Sequence, residues 1–295
     1  MKHIIVIGKT GQLARALAAR AKAHNVKIKS YSRRDCDFSA PDDVIVKFAY
    51  DIPECDGIII AAAYTQVDKA EDERDIAFRV NSAMPRIIAE VCASREIPLI
   101  HISTDYVFPG DGDRPLLPSD TTIPINTYGA SKLAGEKAVL FSGARAAILR
   151  TSWVFDGTGI NFMTTMLRLA KTRDTLNVVA DQIGRPTYAG HLADASFVAL
   201  NKMIDDPDFD GGIYHVSGTG PPISWADFAD AIFTVAVEQI PHTMKVGRIP
   251  TSDYPTPAKR PSYSVLDTTE FETTFNHTLP NWQDGLADAY TEVEE

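Results

Sequence analysis

Residues 3–23 read HIIVIGKTGQLARALAARAKA, and this stretch decides the fold. Its apolar run 4–7 has the pattern of a buried parallel strand, and Gly8, Gly11 and the small Ala14 follow at intervals of three. The remainder repeats apolar residues at helical spacing. This order is typical of a dinucleotide-binding turn, in which bare backbone lets a pyrophosphate approach the positive end of a helix. Taken alone, it also fits a glycine turn that merely joins a strand to a helix.

Residues 8–10 spell GKT, the ending of an ATP-binding P-loop. A P-loop needs another glycine five positions earlier, because backbone amides of the whole loop curl around a phosphate. That position is His3, at the start of the apolar run. The spacing therefore excludes an ATP loop.

Composition narrows the classes of function. The 295 residues are 44% hydrophobic and carry a net charge of -10, which allows one large or two modest domains and argues against a nucleic-acid surface. The longest apolar stretch, residues 58–64, is too short to span a membrane. Cys36, Cys55 and Cys92 lack metal-ligand spacing, so reduced, packed thiols and a cytoplasmic location are expected.

Short apolar runs alternate with helical patterns through the first half of the chain. Strands are expected within residues 3–7, 26–32, 57–63, 98–103 and 146–152, with helical spacing over 74–95 among the connections. The pattern predicts an α/β fold, a Rossmann-type doubly wound parallel sheet with a smaller C-terminal lobe. We expect an NAD(P)-binding domain over 1–155 and a mainly substrate-binding lobe over 156–295, with 188–217 returning to the sheet.

The segment INTYGASKLAGEKAV, residues 125–139, contains candidate chemistry. Tyr128 and Lys132 are four residues apart and share a helix face. A phenol with a pKa of about 10 is a poor acid, but a nearby ammonium lowers that pKa and makes a usable proton carrier. By itself the pair also fits a surface tyrosine stacked on a lysine stem. Ser103 and Thr104 add hydroxyls at a strand end.

The glycine turn, the strand-end hydroxyls and Tyr-x-x-x-Lys, in this order, resemble the extended branch of the short-chain dehydrogenase/reductase superfamily, which modifies nucleotide sugars. Within that branch the chain is similar to the dTDP-4-dehydrorhamnose reductase family over nearly its whole length. The segments that carry this similarity are 61–72 (AAAYTQVDKAED), 103–110 (STDYVFPG), 128–137 (YGASKLAGEK), 150–155 (RTSWVF), 161–170 (NFMTTMLRLA), 181–187 (DQIGRPT) and 254–261 (YPTPAKRP).

The resemblance implies reduction of the 4-keto group of dTDP-4-dehydro-6-deoxy-L-mannose, also called dTDP-4-dehydro-beta-L-rhamnose, to dTDP-L-rhamnose. Thr104 would hydrogen-bond the keto oxygen and Tyr128 would donate its proton. Lys132 would bind the nicotinamide ribose and lower the tyrosine pKa. Hydride transfer makes the keto oxygen negative late in the reaction, so hydrogen-bond donors placed around that oxygen stabilise the transition state.

The glycine turn and the resemblance together predict two sets of binding residues. The cofactor set is Gly8, Thr10, Gly11, Gln12, Leu13, Arg33, Arg34, Asp37, Phe38, Ala61, Ala62, Ala63, Thr65, Tyr128 and Lys132. The substrate set is Thr104, Asp105, Tyr106, Tyr128, Trp153, Asn161 and Arg260. Trp153 fits core packing as well, and Arg260 fits either a diphosphate or solvent. Trp225 and Trp282 are assigned to helix packing.

The type of nicotinamide cofactor is indicated by residues after the second strand. Arg33 and Arg34 suit a ribose 2'-phosphate and favour NADPH, whereas Asp35 could hold a ribose hydroxyl, which keeps NADH possible. Some members of the family use a divalent metal held by carboxylates at a subunit contact. Arg15 is a poor neighbour for such an ion, so no catalytic metal is expected, and the chain is expected to be a monomer or homodimer.

Two other functions are compatible with the fold. A nucleotide-sugar dehydratase or epimerase would share the superfamily, but a dehydratase typically has a second carboxylate where Tyr106 follows Asp105, so reduction is favoured. A non-catalytic, reductase-like regulatory subunit is the other alternative. The presence of Thr104, Tyr128 and Lys132 together argues against it, because a scaffold has no chemical need for an activated phenol.

Overall fold

The structure is a computed structural model that describes residues 1–237 and 244–293. The strands are, in chain order, β1 (Lys2–Ile7), β2 (Val26–Tyr31), β3 (Gly57–Ile60), β4 (Leu99–Thr104), β5 (Ala146–Thr151), β6 (Val154–Phe155), β7 (Thr175–Val179), β8 (Ile183–Gly184), β9 (Thr187–Tyr188), β10 (Gly211–His215), β11 (Ile223–Ser224) and β12 (Lys245–Ile249). The α-helices are α1 (Gln12–Arg20), α2 (Asp42–Tyr50), α3 (Arg74–Phe78), α4 (Met84–Ser94), α5 (Thr127–Phe141), α6 (Phe162–Ala170), α7 (Ala189–Asp205), α8 (Trp225–Val235), α9 (Thr269–Phe275) and α10 (Trp282–Tyr290). Short 3-10 helices occupy Lys69–Glu71, Asp105–Val107 and Thr251–Asp253.

A six-stranded parallel sheet forms the main core, in the order β2-β1-β3-β4-β5-β10. Five of its strands come from the first half of the chain and β10 comes from the second. The predicted doubly wound α/β fold is confirmed. The chain winds outward in opposite directions from β1 and β3, so the crevice for a ligand is expected at their carboxyl ends. The glycine turn follows β1 directly, and the Ala61–Ala63 loop follows β3.

The sheet is buried on both faces because its apolar strands alternate their side chains between two cores. Ile5 and Ile7 pack on one face with the apolar side of α4, whereas Ile4 and Val6 pack on the other face with α1 and α7. A shift of β1 by one residue relative to its neighbours would move each of these side chains to the opposite face of the sheet. The apolar run therefore fixes the register of β1, and with it the position of the glycine turn that follows.

The helical pattern over 74–95 forms one continuous helical segment with an irregular centre. Helix α3 passes into a π-helix at Arg79–Ala83, which passes into α4. Asn81 lies in the π segment and is fully buried. A π segment inside a helix frequently marks a functional position, and here it turns a polar side chain inward.

The second half returns to the sheet and also builds a separate small core. Helix α7 packs beside α1, and β10 extends the sheet next to β5. The small core joins α6, α8 and α10 with the short pairs β6-β9 and β7-β12. Trp282 begins α10 and is buried there, as expected for a packing residue. None of the helices in the described residues is long and apolar enough to cross a membrane.

Candidate active site

The turn after β1 fits glycine alone at its first position. Gly8 has φ +126°, and a Cβ there would lie 3.0 Å from the Ala62 amide nitrogen. The amides of Ala61 and Ala62 both donate to the Ile7 carbonyl, at 2.9 and 2.7 Å. The sheet therefore places the glycine turn and the alanine loop side by side, as the cofactor prediction requires.

Helix α1 begins immediately after this turn and presents free amides. No side chain among the described residues caps its first turn, and a Cβ on Gly11 would meet nothing within 4 Å. Unpaired amides at a helix N-terminus that face open space suit a pyrophosphate. The side chains of Leu13 and Ala14 are buried against the sheet, so Leu13 could contact a cofactor through its backbone amide but not through its side chain. The Gln12 side chain donates to the Val154 carbonyl at 3.2 Å.

The corner after β2 leaves two guanidinium groups exposed. Asp35 accepts hydrogen bonds from the Ser32 amide and hydroxyl, at 2.7 and 2.8 Å, which lower its pKa. Its carboxylate is therefore already engaged, whereas Arg33 and Arg34 are exposed. Phe38 lies in the core rather than at the surface.

Helix α5, which carries Tyr128, is anchored at its N-terminus. The Asn126 side chain accepts from the Gly129 amide at 2.8 Å. Glu71 accepts from the amide and hydroxyl of Thr127, at 2.8 and 3.0 Å. These bonds satisfy helix amides that would otherwise lack partners, and they hold the first turn in place.

The same helix approaches the turn after β4 very closely. A Cβ on Gly129 would lie 2.1 Å from the Tyr106 carbonyl oxygen, so the contact requires glycine. The rings of Tyr106 and Tyr128 meet edge to face with centroids 5.6 Å apart. Tyr128 is thereby brought to the end of the strand that carries Thr104.

Thr104 and Asp105 form a hydrogen-bonded pair at the end of β4. The Thr104 hydroxyl donates to one Asp105 carboxylate oxygen at 2.9 Å and accepts from the Tyr106 amide at 3.2 Å. Asp105 is only 2% exposed, so its carboxyl group is enclosed by the protein. Burial raises the pKa of its carboxyl to about 6.

Tyr128 and Lys132 lie one turn apart on α5, but the expected lowering of the tyrosine pKa is not found. The Lys132 ammonium donates to the Ile102 carbonyl at 2.6 Å, and burial lowers its pKa to about 8. Burial raises the pKa of Tyr128 to about 12, and the Thr104 hydroxyl opposes this only in part. Desolvation, helped by the nearby Asp105 carboxylate, therefore determines the direction of the tyrosine pKa shift in this arrangement.

Two buried residues that support the site were missed by the sequence reasoning. Asn81 accepts from the Tyr64 amide at 2.8 Å and donates to Ser131 on α5 at 2.9 Å, which ties the loop after β3 to the tyrosine helix. Glu136 accepts from Ser103 at 2.5 Å and pairs with Arg150. The signal for Asn81 was a polar residue in an apolar helical run.

Trp153 presents an indole ring at the end of β5 through an unusual backbone. Its φ is +49°, which non-glycine residues adopt rarely. Its ring stacks on Trp225, at the start of α8, with centroids 3.6 Å apart and planes 7° from parallel. A Cβ on Gly184 would lie 2.5 Å from the ring, so that glycine makes room for it. Trp225 thus packs on Trp153.

Asn161 and Arg260 are both engaged within the protein. Asn161 caps α6 by accepting from the Thr164 amide, and it donates to Asp156. Arg260 forms a two-point ion pair with Asp68, at 3.0 and 2.8 Å. A substrate that contacts either side chain must replace these bonds.

The neighbourhood of the glycine turn does not fit a metal ion. Arg15, just after the turn, forms an ion pair at 2.5 Å with the buried carboxylate of Asp156, which is therefore already engaged by a cation. Within residues 1–237 and 244–293, no group of three or more His, Cys, Asp and Glu side chains could hold a metal. No step of the chemistry below is therefore assigned to a metal.

An uncapped helix at a glycine turn, with Thr104 at the end of β4 and Tyr128 and Lys132 on α5, is the arrangement typical of the short-chain dehydrogenase/reductase class. The model of the family "RmlD substrate binding domain" matches residues 1–295. The dTDP-4-dehydrorhamnose reductase of Sinorhizobium fredii is 44% identical over 283 residues, covering 96% of this chain and 94% of the relative. That of Escherichia coli K12 is 43% identical over 291 residues, covering 96% and 95%.

A solved structure agrees with these relatives. The dTDP-4-dehydrorhamnose reductase of Bacillus anthracis, in complex with NADP, superposes with a TM-score of 0.88 at 35% identity and covers 99% of both chains. The chain belongs to the dTDP-4-dehydrorhamnose reductase family, as the sequence motifs predicted.

Proposed function

We propose that this protein reduces the 4-keto group of dTDP-4-dehydro-beta-L-rhamnose with NADPH, which gives dTDP-L-rhamnose. Family membership supports the reaction, and the NADP in the B. anthracis enzyme supports the cofactor. The observation that carries the assignment to this site is the contact of the Tyr128 ring with Tyr106, in the turn that directly follows Thr104 at the carboxyl end of β4.

The residues of the crevice fit a nicotinamide dinucleotide. The uncapped amides of α1 would hold the pyrophosphate, and Arg33 and Arg34 would face a 2'-phosphate. Ala61, Ala62, Ala63 and Thr65 would lie along the cofactor. The cofactor would supply the hydride.

Three side chains have roles at the reacting carbonyl. Thr104 would donate a hydrogen bond to the keto oxygen, and Tyr128 would transfer its proton to that oxygen as negative charge develops. The high pKa of Tyr128 keeps the phenol protonated before the reaction. Lys132 would leave the Ile102 carbonyl to bind the nicotinamide ribose, and its charge would stabilise the phenolate that remains.

The sugar nucleotide would occupy the open side of this group. Tyr106 and Trp153 would contact the hexose, and Arg260 would exchange Asp68 for the diphosphate. Asp105 is buried and accepts a hydrogen bond from Thr104, so its effect on the sugar would pass through that hydroxyl. Asn161 would contribute by holding α6 and its loop rather than by a free side chain.

The experiment is turnover of dTDP-4-dehydro-beta-L-rhamnose, followed as the loss of NADPH absorbance. Tyr128→Phe should lower kcat by roughly 10²–10⁴-fold, because proton donation is lost, while NADPH binding is retained. Tyr214→Phe is a matched control, since Tyr214 is a buried tyrosine that donates to the Gly211 carbonyl far from the crevice. Normal turnover in Tyr128→Phe would refute the assignment.

A further inference from the structure

The carboxyl group of Asp105 is buried without its full set of hydrogen bonds. One oxygen accepts from the Thr104 hydroxyl at 2.9 Å. The other oxygen is buried and has no hydrogen-bond partner among the described residues. Buried carboxylates are normally satisfied by several donors, because an unpaired buried charge is costly. The site therefore favours the protonated carboxyl, in agreement with the raised pKa of about 6.

The polar groups around Asp105 offer little compensation for a negative charge. The phenols of Tyr106, in the same turn, and of Tyr128, on α5, have pKa values raised by burial and stay neutral. The hydroxyl of Ser264, from the C-terminal part of the chain, and the backbone amides of Asp105 and Tyr106 favour the carboxylate, but together with Thr104 they do not outweigh burial.

The cations on this side of the molecule are engaged elsewhere. Arg260 is paired with Asp68. The Lys132 ammonium on α5 donates to the Ile102 carbonyl. Neither forms an ion pair with Asp105, so no cation holds this carboxyl in its ionised form. With a pKa of about 6, the carboxyl can change its protonation near neutral pH.

The protonation of Asp105 determines where the Thr104 hydrogen points. A hydroxyl has one hydrogen to donate and two sites that accept, and the Tyr106 amide occupies one of the accepting sites. When Asp105 is ionised, the Thr104 hydrogen is held by the carboxylate. When Asp105 is protonated, its own hydrogen can fill the second accepting site, and the Thr104 hydrogen becomes free.

We propose that Asp105 is a positioning residue that, in its protonated form, directs the Thr104 hydroxyl toward the keto oxygen of the sugar. This inference rests on the proposed function. The ionised form draws the Thr104 hydrogen away from the substrate and leaves Thr104 able only to accept from Tyr128. Reduction should therefore slow as Asp105 loses its proton.

The test is the pH profile of kcat at saturating NADPH and dTDP-4-dehydro-beta-L-rhamnose, from about pH 5 to about pH 9. In the wild type, kcat should fall about tenfold for each pH unit above the pKa of Asp105 in the complex. Asp105→Asn presents a permanent donor to Thr104, so its kcat should exceed that of Asp105→Leu and should lack this limb of the profile. Asp105→Leu, which can neither donate nor accept, should be slow at every pH.

Two further variants separate this role from a structural one. Asp194→Asn removes a carboxylate of α7 that pairs with Arg20, and it should leave the profile unchanged. Thr104→Ala keeps Asp105 but removes the hydroxyl, so its residual activity should lack the same limb even if Asp105→Asn does not fold.

The outcomes distinguish this inference from the proposed function. Wild-type protein that consumes no NADPH at any pH would refute the proposed function and this inference with it. Wild-type turnover accompanied by the same limb in Asp105→Asn or in Thr104→Ala would refute only the role of Asp105. A folded Asp105→Asn as slow as Asp105→Leu at all pH values would also overturn it.

Discussion

Replacing Arg150 with glutamine tests how strongly the buried charge pair behind the site supports the fold. The Arg150 guanidinium donates to both Glu136 carboxylate oxygens, at 2.9 and 2.7 Å, and their side chains are 3% and 1% exposed. The substitution leaves Glu136 buried, with the Ser103 hydroxyl as its remaining donor. An uncompensated buried charge of this kind costs about 3–5 kcal/mol, so the free energy of unfolding should fall by that amount.

Arg114→Gln is the matched control. Arg114 also contacts both oxygens of one carboxylate, Asp120, at 2.9 and 2.8 Å, but its side chain is 60% exposed. Each arginine also donates to a proline carbonyl, so burial is the main difference between the two pairs. An exposed pair contributes less than about 1 kcal/mol, and Arg114→Gln should be nearly neutral.

Urea unfolding at neutral pH, followed by circular dichroism, measures both losses. The reasoning requires the Arg150 variant to lose several times more stability than the Arg114 variant, with similar dependence on urea concentration. Equal losses would mean that the guanidinium-carboxylate bonds are worth the same in the core as at the surface. The argument from burial would then be wrong.

Two further predictions concern the cofactor and the metal. Changing Arg33 and Arg34 to alanine together should raise the KM for NADPH about tenfold or more, because bonds to the 2'-phosphate are lost. The KM for NADH should stay nearly unchanged. Equal effects on both cofactors would contradict NADPH selection by these two arginines. A divalent-metal chelator should leave kcat unchanged, because Arg15 neutralises Asp156 near the glycine turn; loss of activity that returns with added metal would show that a metal is required.

The sheet could be predicted from sequence because its information is local. The inner strands β1 and β3 are built on short apolar runs, and burial on both faces of a parallel sheet requires that pattern. The edge strand β2 instead alternates apolar and polar residues. The glycine turn is also local: Gly8 is fixed by its positive φ and by the nearby Ala62 amide. The helical spacing of Tyr128 and Lys132 likewise places them on one face without knowledge of the rest of the chain.

The electrostatics of the site could not be predicted in the same way. The lowered tyrosine pKa was expected from spacing alone, but burial of the phenol and the engagement of Lys132 by the Ile102 carbonyl depend on tertiary packing. The partner of Arg260 is Asp68, which lies far away along the chain, and spacing cannot reveal it. The capping role of Asn161 is visible only once the start of α6 is known.

The contrast between two buried carboxylates shows how the site combines stability with function. Glu136 accepts hydrogen bonds from Arg150 and Ser103. Because its negative charge is paired and hydrogen-bonded, this carboxylate can hold β4, β5 and α5 together. Within the described residues, one oxygen of Asp105 accepts from the Thr104 hydroxyl and the other has no hydrogen-bond partner, and the pKa of about 6 lies above the ordinary value of 3.8. The folded state therefore binds this proton more tightly than the unfolded state, so stability falls as pH rises from about 3.8 to about 6, by about 3 kcal/mol. An added donor to the unpartnered oxygen would reduce that cost, but it would also favour the ionised form of Asp105, which keeps the Thr104 hydrogen away from the substrate. The incomplete hydrogen bonding of Asp105 is thus a stability cost with a functional reason, whereas the full set around Glu136 has a structural one.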